Sequence, residues 1–235
     1  MARVFDRNMF IMLLAIMIGV VIITYFVADI MRRSQIENLI VEHEVEIQEI
    51  TGRNENFTDH FLQGSIKMDS AREIREVGNY HFDLAILWYD SALSAVNNST
   101  LDMYRGRIVS NCTEAMSSYM ESHKRFDESK FFFERAKNYT DNNKYLELLG
   151  YYVGFAQSGR NITLLRYNAS KYLMFIAENL TLSVFGNESG NENLTLLLDL
   201  FNETMDLYDG MINDYNWYSD YIDEYVFFDE IREPH

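Results

Sequence analysis

Residues 9–28 read MFIMLLAIMIGVVIITYFVA, a stretch of twenty residues without a charged side chain. A helix of that length rises about 30 Å, which matches the hydrocarbon core of a bilayer. The stretch is followed by DIMRR at residues 29–33, and not by the small residues at which a signal peptide is cleaved. It therefore predicts an uncleaved, single-pass transmembrane helix at 9–28. A cytoplasmic stub at 1–8 precedes it, and a polar chain on one side of the membrane follows it.

Asn-x-Ser/Thr sequons indicate on which side that polar chain lies. Eleven asparagines begin a sequon, all of them after residue 28: Asn56, Asn97, Asn98, Asn111, Asn138, Asn161, Asn168, Asn179, Asn187, Asn193 and Asn202. Chance would give roughly two or three matches to so short a motif. N-glycans are attached to exposed asparagines outside the cytoplasm, so we predict an extracytoplasmic, glycosylated domain. Asn97 and Asn98 overlap, and we expect Asn98 to be the one used. The alternative is a surface rich in Asn, Ser and Thr with accidental matches.

Composition narrows the class of protein. The formal net charge of −16 argues against nucleic acid as a partner, because the phosphates would repel the chain. The single cysteine, Cys112, cannot form an intrachain disulfide, and dense sequons without disulfides are typical of an archaeal cell envelope rather than of a eukaryotic secreted domain. We expect Cys112 to be a half-buried small apolar residue; a reactive thiol or an intermolecular disulfide is the alternative. Proline occurs once, at Pro234, which favours long helices.

Residues 29–52 predict a membrane-proximal stalk helix. Its apolar seam recurs at alternating spacings of four and three: Ile36, Ile40, His43, Ile47 and Ile50. The polar positions between them are mostly glutamates, which indicates a solvated face. Two heptads are too few for a coiled coil, so we expect the seam to pack on a partner or on the chain's own domain. We expect His43 to be a partly buried polar residue rather than a metal ligand, and Gly52 to end the helix.

The remaining chain predicts an all-α domain. Apolar residues recur at helical spacings in seven segments: Phe61–Gly78, Phe82–Val96, Leu101–His123, Phe126–Tyr139, Lys144–Gln157, Ile162–Phe185 and Leu194–Ile231. Asn and Gly cluster at the expected joints, at residues 97–98, 141–143, 158–161 and 186–193. No strand pattern occurs in the sequence. We predict a helical domain at 53–193 and a distinct C-terminal helical segment at 194–235, interrupted near Gly210.

Two of these segments resemble each other. HFDLAILWYDSAL at 81–93 aligns with RFDESKFFFERAK at 125–137, with matches at Phe82/Phe126, Asp83/Asp127 and Ala92/Ala136. The order of aromatic, small, aromatic and Ala residues resembles the second helix of a tetratricopeptide repeat. This resemblance implies stacked helical hairpins and a protein-binding surface. The offset of 44 residues differs from the family's 34, and an ordinary helical bundle is the alternative.

The C-terminal segment combines acidic and aromatic residues. Tyrosine buries its ring and keeps its hydroxyl in water, which suits a protein interface. We therefore predict a partner-binding surface at Tyr215, Trp217, Tyr218, Tyr221 and Tyr225. The acidic residues Asp206, Asp209, Asp214 and Asp220 lack the spacing of a calcium loop, so we predict no metal site and expect a solvated acidic face.

Motifs of catalysis and cofactor binding are missing from the sequence. It contains no HExxH, CxxC, P-loop, GxSxG or GxGxxG, and its five histidines lack ligand spacing. We therefore predict no catalytic residues, no cofactor and no enzymatic activity.

These patterns together indicate a non-catalytic, glycosylated accessory or scaffold subunit. Its partners would be membrane lipid and multi-span membrane proteins, and its helical domain would cap their extracytoplasmic face. The alternatives are a free-standing envelope protein, such as an adhesin, a surface-layer-associated protein or a filament subunit, and an extracytoplasmic ligand-binding or sensor module.

Overall fold

A computed structural model describes residues 7–182 and 192–224, with the side chains of residues 25, 31–182 and 192–222. Four α-helices account for nearly all of these residues: α1 (Arg7–Leu93), α2 (Asn98–Ala136), α3 (Asn143–Asn179) and α4 (Glu192–Glu224). A short 3₁₀ helix at Lys137–Tyr139 follows α2. The described ranges contain no β-strand, so the predicted all-α class is confirmed.

Two predicted joints are confirmed by side-chain caps. The Oδ1 atom of Asn97 accepts a hydrogen bond of 2.9 Å from the backbone N–H of Thr100 at the start of α2. The Oδ1 atom of Asn142 accepts one of 2.9 Å from the N–H of Lys144 at the start of α3. Asn is a strong N-cap residue because its short side chain satisfies an otherwise unpaired helical N–H. The joint expected at 186–193 lies mostly outside the described residues.

Other predicted boundaries are wrong, because the helices continue through them. The predicted separations at residues 79–81, 124–125 and 158–161 lie inside α1, α2 and α3. Gly52 does not end α1, and Gly210 does not interrupt α4. A helical glycine costs only about 1 kcal/mol relative to alanine. It ends a helix when it adopts a positive φ, which no glycine in the described part of the chain does.

The chain divides into two compact units, Met1–Arg53 and Asn54–His235. In the first unit, the described side chains belong to the N-terminal part of α1, and all of those at residues 31–51 are exposed. The second unit contains the rest of α1 together with α2, α3 and α4. The C-terminal segment therefore contributes α4 to the same unit as the residues that precede it.

Within the second unit, α1 and α2 are antiparallel neighbours. The Oγ atom of Ser129 donates to the carbonyl of Gly64 at 2.8 Å, and the Oγ of Ser122 donates to the carbonyl of Ala71 at 2.7 Å. Residue numbers thus rise along α1 as they fall along α2.

The other helix pairs complete an up-down-up-down four-helix bundle. Contacts that define it join α2 to α3 (Arg105 Nε to Ala177 O, 3.0 Å), α3 to α4 (Phe155 to Tyr215, ring centroids 4.6 Å apart) and α4 to α1 (Phe201 to Phe82, 6.4 Å). Diagonally placed α1 and α3 are parallel, with contacts between Phe57 and Tyr145 and between Phe61 and Tyr152. This is the expected arrangement for antiparallel neighbours joined by short loops.

A seven-residue repeat of small, buried residues forms the interior of the bundle. On α1 it comprises Gly64, Ala71, Gly78, Ala85 and Ala92; on α2 it comprises Ala115, Ser122, Ser129 and Ala136; on α3 it comprises Ala156, Thr163, Ser170 and Ala177. Larger residues alternate with the small ones at spacings of three and four. Small positions let helix backbones approach, and the large side chains of neighbouring helices fill the remaining space.

This alternation explains the resemblance to tetratricopeptide repeats and corrects it. The two matching segments lie at the C-terminal ends of α1 and α2, and not in the second helices of two short hairpins. Phe82, Ala85, Tyr89 and Ala92 follow the same spacing as Phe126, Ser129, Phe133 and Ala136, because both series are large and small core positions of one bundle. The architecture is therefore the helical bundle, which was the alternative.

Candidate functional site

Exposed apolar side chains define a surface on α1 in the first unit. The seam predicted from the sequence comprises Ile36, Ile40, His43, Ile47 and Ile50, and its four isoleucines are 47, 52, 62 and 52% exposed. None of the four is buried against another side chain that the structure describes in this unit. We expected His43 to be partly buried, but in the chain by itself its side chain is 73% exposed. Its Nδ1 lies 3.5 Å from Oε2 of Glu46.

Glutamates flank this seam on both sides. Successive helical residues are rotated by 100°, which places Glu37 and Glu44 beside one edge of the seam and Glu46 beside the other. Val41 and Val45 lie on the opposite side of the helix and are 59 and 58% exposed. The seam is therefore an apolar strip with acidic borders.

Inside the second unit, α1 carries an arginine at a core position. The guanidinium of Arg75 lies 4.4 Å from the ring centroid of Tyr215 on α4, and its side chain is only 13% exposed. Its Nη2 donates to Oε1 of Glu76 at 2.8 Å, while Nε and Nη1 are buried without a hydrogen-bond partner. Burial lowers the pKa of Arg75, but Tyr215 and Glu76 outweigh it and raise the pKa, so the group is charged.

A second arginine lies on α3 and shares Tyr208 as a neighbour with the first, since Tyr208 also helps to raise the pKa of Arg75. The guanidinium of Arg166 is 3.9 Å from the ring centroid of Tyr208 and 4.6 Å from that of Phe82. Its Nε is also buried without a partner. We call Arg75 and Arg166, with Phe82, Tyr208 and Tyr215, the arginine–aromatic layer. Among the residues that the structure describes, Glu76 is the one carboxylate paired with either guanidinium.

Tyr119 borders this layer on α2. Its hydroxyl donates to Oδ1 of Asn79 at 2.9 Å. Burial raises the pKa of Tyr119 well above its ordinary value, although Arg166 and Arg75 oppose the effect. Burial likewise raises the pKa of Tyr215, again against the influence of Arg75. Both hydroxyls are therefore neutral at physiological pH, and Glu76 is the one group described here that offsets the two arginine charges.

No catalytic or ligand motif marks the two arginines in the sequence. Their signal is the core repeat, because Arg75 occupies the same seven-residue series as Phe61, Met68, Phe82 and Tyr89. Arg166 occupies the series of Tyr152, Gly159, Leu173 and Leu180. A charged residue at a repeating core position is the pattern from which a buried cationic site can be recognised.

A surface groove runs between α1 and α2 and encloses about 550 Å³. It is lined by Gln63, Lys67, Asp127, Glu128, Phe131 and Phe132. Nζ of Lys67 and Oε2 of Glu128 form an ion pair at 2.8 Å across it. The groove is shallow and its central charges neutralise each other, so it offers no strong charge to a ligand.

The sequon asparagines lie at accessible positions wherever the structure describes them. Exposed ones are Asn56, Asn97, Asn98, Asn138, Asn179, Asn193 and Asn202, while Asn111, Asn161 and Asn168 are half-buried; Asn187 lies outside the described residues. Asn138 lies in the turn between α2 and α3. Asn111 is held at both ends of its amide, since Nδ2 donates to Arg107 O at 2.9 Å and Oδ1 lies 3.2 Å from His81 Nδ1.

Of the described C-terminal aromatic residues, Tyr215, Tyr218 and Tyr221 pack within the chain, whereas Trp217 is 53% exposed. Tyr215 is 3% exposed, so it is a core residue and not the surface contact predicted for it. Tyr218 contacts Gly154 closely, and a Cβ on that glycine would lie 2.6 Å from the ring. Trp217 and Tyr221 stack on each other at 5.5 Å and on Tyr151 of α3. Their aromatic faces therefore serve the α3–α4 contact, and Tyr225 lies outside the described residues.

Tyr151 shows how close this contact is. Its ring centroid lies 4.0 Å from that of Tyr221. The hydrogen bond with Tyr221, together with burial and the charge of Glu147, raises the pKa of Tyr151 to about 12.

Cys112 is fully buried, and not half-buried as expected. Burial raises the pKa of its thiol to about 12, which removes the thiolate required for reactivity. Within the described ranges, no three His, Cys, Asp or Glu side chains converge to hold a metal ion. Asp206, Asp209, Asp214 and Asp220 of α4 therefore belong to no group of metal-ligating side chains in these ranges.

In the part of the chain that the structure describes, no helix is both long and apolar enough to cross a membrane. The predicted span at 9–28 lies outside the described side chains, except for Tyr25. No known protein family matches this chain, and neither curated proteins nor solved structures include a significant match.

Proposed function

We propose that this protein is a non-catalytic, membrane-anchored module whose α1 seam binds a helix of a partner subunit. The observation that carries the proposal is the exposure of Ile36, Ile40, Ile47 and Ile50 along one face of the helix. Four isoleucines half-exposed on a single strip are a costly surface to leave in water, and contiguous apolar patches of this kind mark interaction sites. The four-helix bundle would then be the scaffold that this partner holds at the membrane.

The anchor in this proposal is the uncharged stretch at residues 9–28. Its length and composition support a membrane span. The excess of sequons after it, together with the accessibility of those that are described, supports an extracytoplasmic position for the bundle. Resistance of the full chain to alkaline extraction from source membranes tests the anchor, and release into the supernatant would contradict it.

The borders of the seam specify the chemistry of the partner. Glu37, Glu44 and Glu46 would face the flanking positions of a helix docked on the seam. A partner helix with an apolar strip bordered by Lys or Arg complements this pattern, whereas glutamates of a second copy do not. Burying the exposed parts of the four isoleucines would supply on the order of 4 kcal/mol.

Paired variants on opposite sides of one helix test the proposal. The seam variant is Ile40→Glu with Ile47→Glu, and its matched control is Val41→Glu with Val45→Glu. Both add two charges to residues of similar exposure on the same helix. Each tagged chain is purified from its source membrane in mild detergent, and the co-purifying subunits are quantified by mass spectrometry.

The proposal predicts that stoichiometric subunits co-purify with the wild type and with the valine variant, and fall at least tenfold with the isoleucine variant. Elution of the wild type alone contradicts it. Elution as a homopolymer that the isoleucine variant disrupts would favour the free-standing envelope protein, in which the same seam joins copies of this chain.

A further inference from the structure

We propose that the arginine–aromatic layer is a binding site for a small oxyanion, such as a carboxylate or a phosphate. The site lies between α1, α3 and α4, and its ligands are the guanidinium N–H groups of Arg75 and Arg166. It is independent of the seam on the first unit.

Unsatisfied donors are the first observation behind this site. Nε and Nη1 of Arg75 and Nε of Arg166 are buried without a hydrogen-bond partner. Native interiors rarely leave charged donors unpaired, because each buried group then loses its hydration without compensation. Oxygen atoms of a bound anion would accept hydrogen bonds from these N–H groups.

Charge balance is the second observation. Glu76 pairs with Arg75, but no carboxylate in the described part of the chain pairs with Arg166. Tyr119 and Tyr215 are neutral, because burial raises the pKa of each hydroxyl. The layer therefore carries a net positive charge inside a protein whose formal net charge is −16. Uncompensated positive charge at low local dielectric attracts an anion more strongly than it would on the surface.

Aromatic rings contact both arginines of the layer. The Cζ atoms of the two guanidiniums lie 3.9–4.6 Å from the ring centroids of Phe82, Tyr208 and Tyr215, in cation–π contacts. Nε and Nη1 of Arg75 and Nε of Arg166 have no hydrogen-bond partner beside these contacts. Arg166 is only half-buried, so part of its side chain is in contact with solvent.

An exposed arginine, Arg107, shows that a cation–π contact alone does not leave buried donors unsatisfied. Arg107 also lies over an aromatic ring, at 4.2 Å from the centroid of Trp88, but it is exposed to water and none of its nitrogens is buried and unpaired. It thus shares the cation–π contact with Arg166 without the unsatisfied donors. Arg107 is therefore the matched control position.

Calorimetric titration of the purified full chain tests the site, with sodium phosphate and sodium acetate as the probes at constant ionic strength. We expect saturable 1:1 binding of at least one probe to the wild type and to Arg107→Met. Arg75→Met and Arg166→Met should each weaken the affinity at least tenfold, since a charge-assisted hydrogen bond is lost. Binding of phosphate alone identifies a phosphoryl or inorganic ligand, and binding of acetate alone identifies a carboxylate.

Folding of each variant is checked by far-UV circular dichroism. If a methionine variant does not fold, Arg75→Lys and Arg166→Lys replace it, because lysine keeps the charge and loses the fixed N–H geometry. A tenfold loss of affinity in the lysine variants then supports the site. Absence of saturable binding of both probes to the wild type overturns the proposal, as does an affinity that is unchanged in the Arg75 and Arg166 variants.

Discussion

Phe133 on α2 packs directly on the backbone of Gly64 on α1. A Cβ atom at Gly64 would lie 2.7 Å from Cε1 of Phe133, closer than real carbon atoms approach. Gly78 and Gly159 meet Tyr119 and Phe126 in the same way. These three rings of α2 thus occupy spaces that glycines of neighbouring helices leave open.

Substitution of Gly64 by alanine should destabilise the bundle. The added methyl group forces the Phe133 ring from its position, and overpacking of this kind costs about 1–3 kcal/mol. Gly106 provides the control, because it is also helical and a Cβ there would meet nothing within 4 Å. Gly106→Ala should stabilise the protein by about 0.4–1 kcal/mol. Urea unfolding of both variants measures the difference, and equal effects would contradict this packing.

Stability should fall in acid as Glu128 becomes protonated. The hydrogen bond and charge of Lys67 lower the pKa of Glu128 below its ordinary value of 4.5. A lowered pKa in the folded state means that the ion pair stabilises the protein above pH 4.5 and that this contribution is lost as the pH falls through the folded pKa. The pair is partly exposed, so its contribution is about 0.2–1 kcal/mol.

Glu128→Gln tests that contribution. The free energies of unfolding of the wild type and the variant should differ at pH 7, and the difference should shrink at pH 3. A difference that stays constant over this range would show that Glu128 does not titrate with folding.

Cys112 should be inert in the folded protein. Burial raises its thiol pKa to about 12, compared with 9.0 for an exposed thiol. The thiolate fraction at pH 8 falls roughly 1000-fold through this shift alone, and steric protection adds to it. Ellman's reagent should therefore react with Cys112 only after unfolding in guanidinium chloride. Rapid reaction under native conditions would place the thiol at the surface.

Sequons should differ in occupancy according to their local structure. Asn138 lies exposed in a turn, whereas the side chain of Asn111 is half-buried and holds hydrogen bonds to Arg107 and His81. We expect a glycan on Asn138 and a bare Asn111 in protein from its source membrane, as measured by glycopeptide mass spectrometry. Modification of Asn111 with a bare Asn138 would contradict this expectation.

The helical class and the capped joints could be predicted from the sequence, since Asn97 and Asn142 act locally. Helix continuity could not, because Gly52 and Gly210 are weak signals whose effect depends on whether the backbone adopts a positive φ. The core pattern was open to two interpretations, because large and small residues spaced by three and four fit both a repeat hairpin and a bundle. The lengths of α1 and α2 decide between these two interpretations, because a repeat hairpin is built from much shorter helices.

The candidate sites, too, could be predicted from the sequence only in part. The exposed seam follows from the spacing of its isoleucines, and nothing beyond helix geometry is needed to find it. Arg75 and Arg166 are different, since arginine is usually a surface residue. Their burial depends on rings from other helices, including Tyr208 and Tyr215, whose position no local pattern specifies.

Photo-crosslinking in the source membrane tests the central claim most directly. A photoreactive amino acid replaces Ile47 in the seam or Val45 on the opposite side, two positions of similar exposure on one helix. The proposal predicts that residue 47 crosslinks to one defined membrane subunit and that residue 45 does not. Crosslinking at neither position, or to the same proteins with equal yield at both, would contradict a partner-binding seam on α1.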